Sequence, residues 1–186
     1  FSFDVTAALK NGANKLVVKV WDPTDQGFQP RGKQVNRPEG IWYTPVSGIW
    51  QTVWLEPVPE KYIENVKTTP DIDKNILKVE ALINQCAASD KVEVKVLDGT
   101  RVVATGQSIN NQPVEIAMPE DVKLWSPQNP FLYNLEITVS SGNKQLDQVK
   151  SYTAMRKFST KRDDKGIVRL QLNNKDLFQF GPLDQG

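Results

Sequence analysis

Lys91-Val92-Glu93-Val94-Lys95-Val96-Leu97-Asp98-Gly99 is the stretch whose reading decides the fold. Val92, Val94 and Val96 fall on one side of a two-residue period, and Lys91, Glu93, Lys95 and Leu97 on the other. Extended backbone sends successive side chains to opposite faces, so this pattern is a strand with one face buried. Asp98-Gly99 then supplies a hairpin turn. The same period recurs on either side. Leu77, Val79, Ala81 and Ile83 alternate with Lys78, Glu80, Leu82 and Asn84. Leu135, Ile137 and Val139 alternate with Asn134, Glu136, Thr138 and Ser140, and Leu16, Val18 and Val20 with Lys15, Val17, Lys19 and Trp21. No stretch carries a convincing helical period. One apolar and one polar face per strand is what antiparallel sheets on a single core require.

Residues 60–158 divide into about seven short strands, near 61–69, 75–84, 91–98, 101–108, 112–118, 131–140 and 145–158, the pattern of an immunoglobulin-like β-sandwich. No Cys-Trp-Cys signature accompanies them, so the architecture alone is inferred. Before them, residues 1–56 hold strands near 15–22 and 49–56, joined by a long polar loop at 23–48. Pro57-Val58-Pro59 separates the blocks, since proline cannot donate to a sheet ladder. After them, Ile167–Leu172 and Leu177–Phe180 flank a turn at Asn173-Asn174-Lys175 and predict a hairpin.

Composition excludes several chemistries. The chain has 186 residues, 39% of them hydrophobic, 24% charged, and a net charge of +1. That is ample for one or two cores and leaves no electrostatic footprint for nucleic acid or an acidic membrane. The basic run Arg156–Arg162 is followed at once by Asp163 and Asp164 and reads as a solvated strand end. Without His, Ser-His-Asp and Cys-His sites and His-containing metal sites are impossible. A single cysteine, Cys86, allows no internal disulfide and no Cys-based metal site; at an apolar strand end it reads as a small packed side chain. No cofactor or metal is expected, and any catalysis would be carboxylate chemistry. The chain opens Phe1-Ser2-Phe3 inside a strand pattern, without an initiator Met, signal peptide or membrane-length apolar run, and is expected to be a piece of a longer protein.

Loops beyond about 12–15 residues without structure of their own tend to be functional or disordered. The loop at 23–48 carries Phe28, Trp42 and Tyr43 among Asp25, Gln26, Gln29, Arg31, Lys33, Gln34, Asn36, Arg37 and Glu39. Aromatic faces beside Arg and amide groups suit a pyranose, with its apolar C–H faces and rim of hydroxyls. Arg31, Gln34, Trp42 and Tyr43 are the candidate sugar contacts. The same aromatics would equally anchor the loop on its own domain while the charges solvate it.

Four landmarks in order resemble glycoside hydrolase family 2, the β-galactosidase, β-glucuronidase and β-mannosidase group. They are Phe3-Asp4-Val5-Thr6 with Gly12-Ala13-Asn14-Lys15-Leu16; Ser47-Gly48-Ile49-Trp50 with Val53-Trp54-Leu55; Leu124-Trp125-Ser126-Pro127-Gln128-Asn129-Pro130-Phe131-Leu132-Tyr133; and Met155-Arg156-Lys157-Phe158 with Leu172-Asn173-Asn174-Lys175. Ala154 and Asn174 stand where the family usually has Gly, and the Phe180-Gly181 end lacks the family's His, which implies an atypical branch.

The resemblance implies an all-β chain in three parts. Residues 1–58 would be the C-terminal part of a jelly-roll sugar-binding domain, 59–158 the immunoglobulin-like β-sandwich, and 159–186 the lead-in to a (β/α)-barrel catalytic domain. It implies a retaining glycosidase as parent, with two Glu on the barrel. Glu39, Glu56, Glu60, Glu64, Glu80, Glu93, Glu115, Glu120 and Glu136 suggest no such pair, so the chain alone is expected to be inactive and accessory. Asp184 joins the candidate substrate contacts by its place beside the first barrel strand. Expected partners are a carbohydrate substrate and the protein's own barrel, with a homo-oligomer open and neither nucleic acid nor membrane involved. Enzymes of this kind are often periplasmic or extracellular, but these residues do not fix a compartment. The alternative is a stand-alone carbohydrate-binding or structural module. Partly assembled, the first block would leave Leu16, Val18, Ile49 and Leu55 poorly covered.

Overall fold

The structure is a computed structural model and describes residues 2–182. The chain divides into two compact units, one up to Leu55 and one of Glu56–Phe180.

The second unit is an antiparallel β-sandwich. Its strands are β1 (Ile63–Asp71), β2 (Ile76–Ile83), β3 (Asp90–Asp98), β4 (Arg101–Ile109), β5 (Val114–Ala117), β6 (Tyr133–Ser141) and β7 (Lys144–Thr153). One sheet has the order β1-β2-β5 and the other β4-β3-β6-β7. This is the immunoglobulin-like arrangement expected from the period-two runs. Leu77, Val79, Val114 and Ile116 from one sheet meet Val92, Val94, Val96, Leu135, Ile137 and Val139 from the other, all essentially inaccessible to solvent. Each such side chain contributes about 1.5–3 kcal/mol by leaving water. The alternate residues Lys91, Glu93 and Lys95 lie on the outer face, half-buried. Across the edges, the Ile63 N–H donates to Asp147 Oδ2 at 2.9 Å and the Thr153 and Thr68 hydroxyls lie 3.1 Å apart.

Turn chemistry fixes the register. Asn110 and Asn111 both have φ of 54° between β4 and β5, and Asn173 and Asn174 have φ of 52° and 63°. Asparagine tolerates this left-handed region better than other non-Gly residues, so Asn174 serves where the family's Gly would. Gly106 on β4 has ordinary φ but no room: an added Cβ would lie 2.7 Å from side-chain carbons of both Val114 and Ile116.

Beyond β7 the structure departs from expectation. The run 145–158 is not one strand. It breaks after Thr153 because Met155 turns into the core and its carbonyl accepts from the Trp125 N–H at 2.9 Å. The chain then forms β8 (Phe158–Arg162), β9 (Val168–Leu172) and the short β10 (Lys175–Asp176), a sheet in the order β10-β9-β8. The second hairpin arm is therefore Lys175–Asp176 and not Leu177–Phe180, although the Leu177 N–H still donates to the Leu170 carbonyl at 3.0 Å. In the Trp125 corner, Tyr133 is buried and Phe131 packs edge-on against it at 4.9 Å, whereas Leu132 faces outward. Phe131 and Tyr133 share one side of the two-residue period, which leaves Leu132 on the other.

The first unit contains a 3-10 turn at Thr6–Ala8 and one isolated bridge, Gln34 to Tyr43. Residues 15–22 and 49–55 keep their alternation but have no ladder partner among the described residues. Alternation marks the face that would be buried without supplying a partner strand.

Candidate functional site

The loop between residues 22 and 48 is organised by its own polar groups. The Asp22 carboxylate closes its base, accepting from the Thr24 N–H at 2.8 Å and the Ser47 hydroxyl at 2.9 Å. Thr24 sits buried at φ 59°, and its carbonyl accepts from Gln29 Nε2 at 2.8 Å. Asp25 takes both the backbone N–H and the side-chain amide of Asn36. Between residues 31 and 43 the chain loops round so that Tyr43 lies alongside Gln34 in a parallel bridge. The Tyr43 N–H donates to the Lys33 carbonyl at 2.8 Å and the Val35 N–H to the Tyr43 carbonyl at 3.2 Å. Gly32 and Gly40, at φ 58° and 57°, make the reversals possible.

On this frame Asp25, Gln26, Val35, Asn36, Arg37, Glu39 and Trp42 line an open depression of about 550 Å³. Trp42 is 39% exposed, and the Arg31 guanidinium lies 5.6 Å from its ring centroid while also pairing with Asp25 at 3.9 Å. Arg31 and Trp42, two of the four candidate residues, are thus brought together. Gln34 has a different job: its Oε1 accepts from the Val46 N–H at 2.6 Å, so it holds the loop's return limb. Tyr43 supports the frame through its backbone, with the Lys33 ammonium 5.8 Å from its ring. Asp184 lies outside the described residues. Arg37 and Glu39 were legible as polar loop residues but not as lining. Only the Gly32 and Gly40 reversals bring them beside Trp42.

The depression offers an aromatic face with carboxylate, amide and guanidinium groups around it, a set that can bind hydroxyl-rich ligands. Elsewhere, a smaller recess of about 170 Å³ in the sandwich unit is lined by Asp98, Arg101, Lys123 and Tyr133 among others. Its Asp98 is already engaged by Lys123 at 2.6 Å and Arg101 at 3.6 Å. Every Glu among the described residues is exposed or half-buried.

The family model described as Glycosyl hydrolases family 2 matches residues 61–156. A Formosa agariphila protein provisionally named a β-glucuronidase is 28% identical over 169 residues, covering 87% of this chain and 20% of that protein. A β-galactosidase from Thermoanaerobacter pseudethanolicus is 22% identical over 200 residues, covering all of this chain and 26% of its own length. Among solved structures, the apo β-glucuronidase of Ruminococcus gnavus shares the fold with a TM-score of 0.52 at 20% identity, over 66% of this chain and 20% of that one. The chain thus spans about a fifth to a quarter of the length of these relatives. With the match lying over the β-sandwich and more than half of the chain, this protein belongs to glycosyl hydrolase family 2.

Proposed function

We propose that this chain is the non-catalytic accessory region of a retaining glycoside hydrolase. In this reading residues 1–58 are the C-terminal part of a sugar-binding jelly roll, 59–158 are the sandwich that sets its distance from the catalytic domain, and 159–186 lead into that domain. The observation that carries it is the match of the family model to the sandwich, in a chain that spans only about a fifth to a quarter of its relatives. Retaining glycosidases place two carboxyl groups ~5–5.5 Å apart, one as nucleophile and one as acid/base. These belong to the catalytic domain, and the Glu residues here serve as solvated strand and turn positions. Arg31, Trp42, Tyr43 and Asp184 are the proposed sugar contacts, with Trp42 presenting the ring face, and Gln34 holds the loop that carries the first three. Assay of this chain and of the continuous polypeptide on aryl glycosides tests the reading. Activity in the longer protein and none in the chain is expected, and turnover by the chain alone would overturn it.

A second reading, a stand-alone carbohydrate-binding module, is favoured by the self-contained frame of the 23–48 loop. Saturable oligosaccharide binding by the isolated chain, lost in Trp42→Ala, would establish it. Weak or absent binding leaves the accessory reading in place.

A further inference from the structure

Four arginines lie in the sandwich unit, and three of them have polar partners. Arg101 pairs with Asp98 at 3.6 Å, Arg162 donates to the Gly166 carbonyl at 2.7 Å, and Arg169 donates to Asp163 at 2.9 Å. Arg156 differs. Its guanidinium lies 4.7 Å from the Trp125 ring centroid and 5.1 Å from that of Phe158, and it makes no hydrogen bond or ion pair with any described residue.

The platform beneath it is fixed. The Trp125 N–H donates to the Met155 carbonyl, and the Trp125 carbonyl accepts from Asn173 Nδ2 at 2.9 Å. Asn173 in turn accepts from the Lys157 N–H at 3.0 Å, so the residues on both sides of Arg156 are tied down. Two ring contacts restrict a side chain that would otherwise sample many rotamers, while its N–H donors stay unused.

Beside it runs an uncovered apolar strip. The β8–β9 register pairs Phe158 with Leu172, Thr160 with Leu170 and Arg162 with Val168, and residues directly opposed on two strands share a face. On this face Phe158 is 65% exposed, Val168 53% and Leu170 51%, while Leu172 opposite Phe158 is buried and the exposed Thr160 and Arg162 form a polar border. An oriented arginine beside exposed aromatic and aliphatic side chains is the composition of a protein interface centre.

We propose that Arg156 and this strip dock the catalytic domain, with Arg156 receiving one of that domain's carboxylates. This rests on the accessory-region reading above. A guanidinium's donor fork matches a carboxylate in two parallel hydrogen bonds. A small free anion would satisfy the charge and leave Phe158 and Leu170 in water, whereas a protein surface covers both. In the relatives, about three quarters to four fifths of the polypeptide lies outside the region this chain matches, and it supplies such a surface at high effective concentration.

The test compares Arg156→Ala and Arg156→Lys in the continuous polypeptide and in the 186-residue chain by thermal melting at two salt concentrations. The expected result is a several-degree loss for Arg156→Ala in the continuous protein, partly restored by Arg156→Lys and smaller at high salt, with little change in the chain alone. Equal effects in both would overturn the proposal and leave Arg156 a local packing residue. An effect in the isolated chain that depends on its concentration would place a second copy on this face and overturn it as well. If the reading frame encodes no catalytic domain, both the accessory reading and this one fall, and that is recognised from the gene rather than from melting. A structure of the continuous protein gives the direct answer: a carboxylate oxygen within about 3 Å of the guanidinium, or water there instead.

Discussion

The Lys61 ammonium lies 2.5 Å from Oδ2 of Asp90, a carboxylate with no solvent exposure. The Ala87 N–H donates to the same oxygen at 2.7 Å. Lys61 stands just before β1 and Asp90 opens β3, so the pair ties the two sheets together at one end. A buried charge that loses its partner costs more than the pair contributes when intact. Lys61→Met is therefore expected to destabilise the sandwich by about 3 kcal/mol, the lower end for breaking a buried pair, because Lys61 keeps some solvent contact. Asp90→Asn should cost less, since Lys61 is then free to rehydrate. Urea unfolding of both variants checks the order, and a Lys61→Met effect near zero would contradict it.

Acid should act through the same residue and its exposed counterparts. Burial works against the charged form of Asp90, but the Lys61 hydrogen bond, the Ala87 N–H and the Lys61 charge outweigh it and hold the carboxyl below its usual range. Asp73 is lowered by Lys157 and Asn174, Asp98 by Lys123, and Asp163 chiefly by the Ile167 N–H. A depressed folded-state pKa means stability that is fully present above the unfolded value, about 3.9, and lost as pH falls through the lower folded values. Melting temperature should therefore be flat near neutrality and fall below about pH 4. Asp90→Asn should make the acid limb shallower. An identical limb in the variant would remove Asp90 from this account.

Gly106 is required by packing rather than by backbone conformation. A Cβ there would meet Val114 and Ile116, both fully buried side chains of the facing sheet. Neither has free space to yield, so Gly106→Ala is expected to cost about 1–3 kcal/mol, the usual penalty for overpacking. Calorimetry on the variant reads this directly. A neutral or stabilising result would mean that β4 and β5 can separate locally.

The sandwich was legible because its strands are half-buried, and burial on one face writes a two-residue period into the sequence. Val92–Val96 and Leu135–Val139 carried that signal and sit as expected in the core. The break at Ala154–Lys157 was not legible. It depends on the Met155 carbonyl meeting Trp125 and on Asn173 meeting Lys157, contacts across 30 and 16 residues that leave no local pattern. In the loop, composition marked the segment as a candidate and named Arg31 and Trp42 separately, while their contact depends on the fold of residues 31–43. Gln34's role as a backbone anchor was hidden, since an amide that holds a loop and one that holds a sugar read alike.

The first unit supplies the last expectation. Leu16, Val18, Ile49 and Leu55 are 58%, 52%, 51% and 63% exposed, as a partly covered set of strands would leave them. Soluble monomers rarely expose contiguous apolar surface beyond a few hundred Å², and residues 15–22 also present unpaired backbone donors and acceptors to any incoming strand. The isolated chain should therefore associate with rising concentration in the micromolar to millimolar range typical of exposed apolar surface, and sedimentation velocity would show it. Replacing Leu16 and Val18 with Ser and Thr should restore a monomer while leaving the sandwich's unfolding transition unchanged. Association that persists in that variant would shift the cause to the Phe158–Leu170 strip.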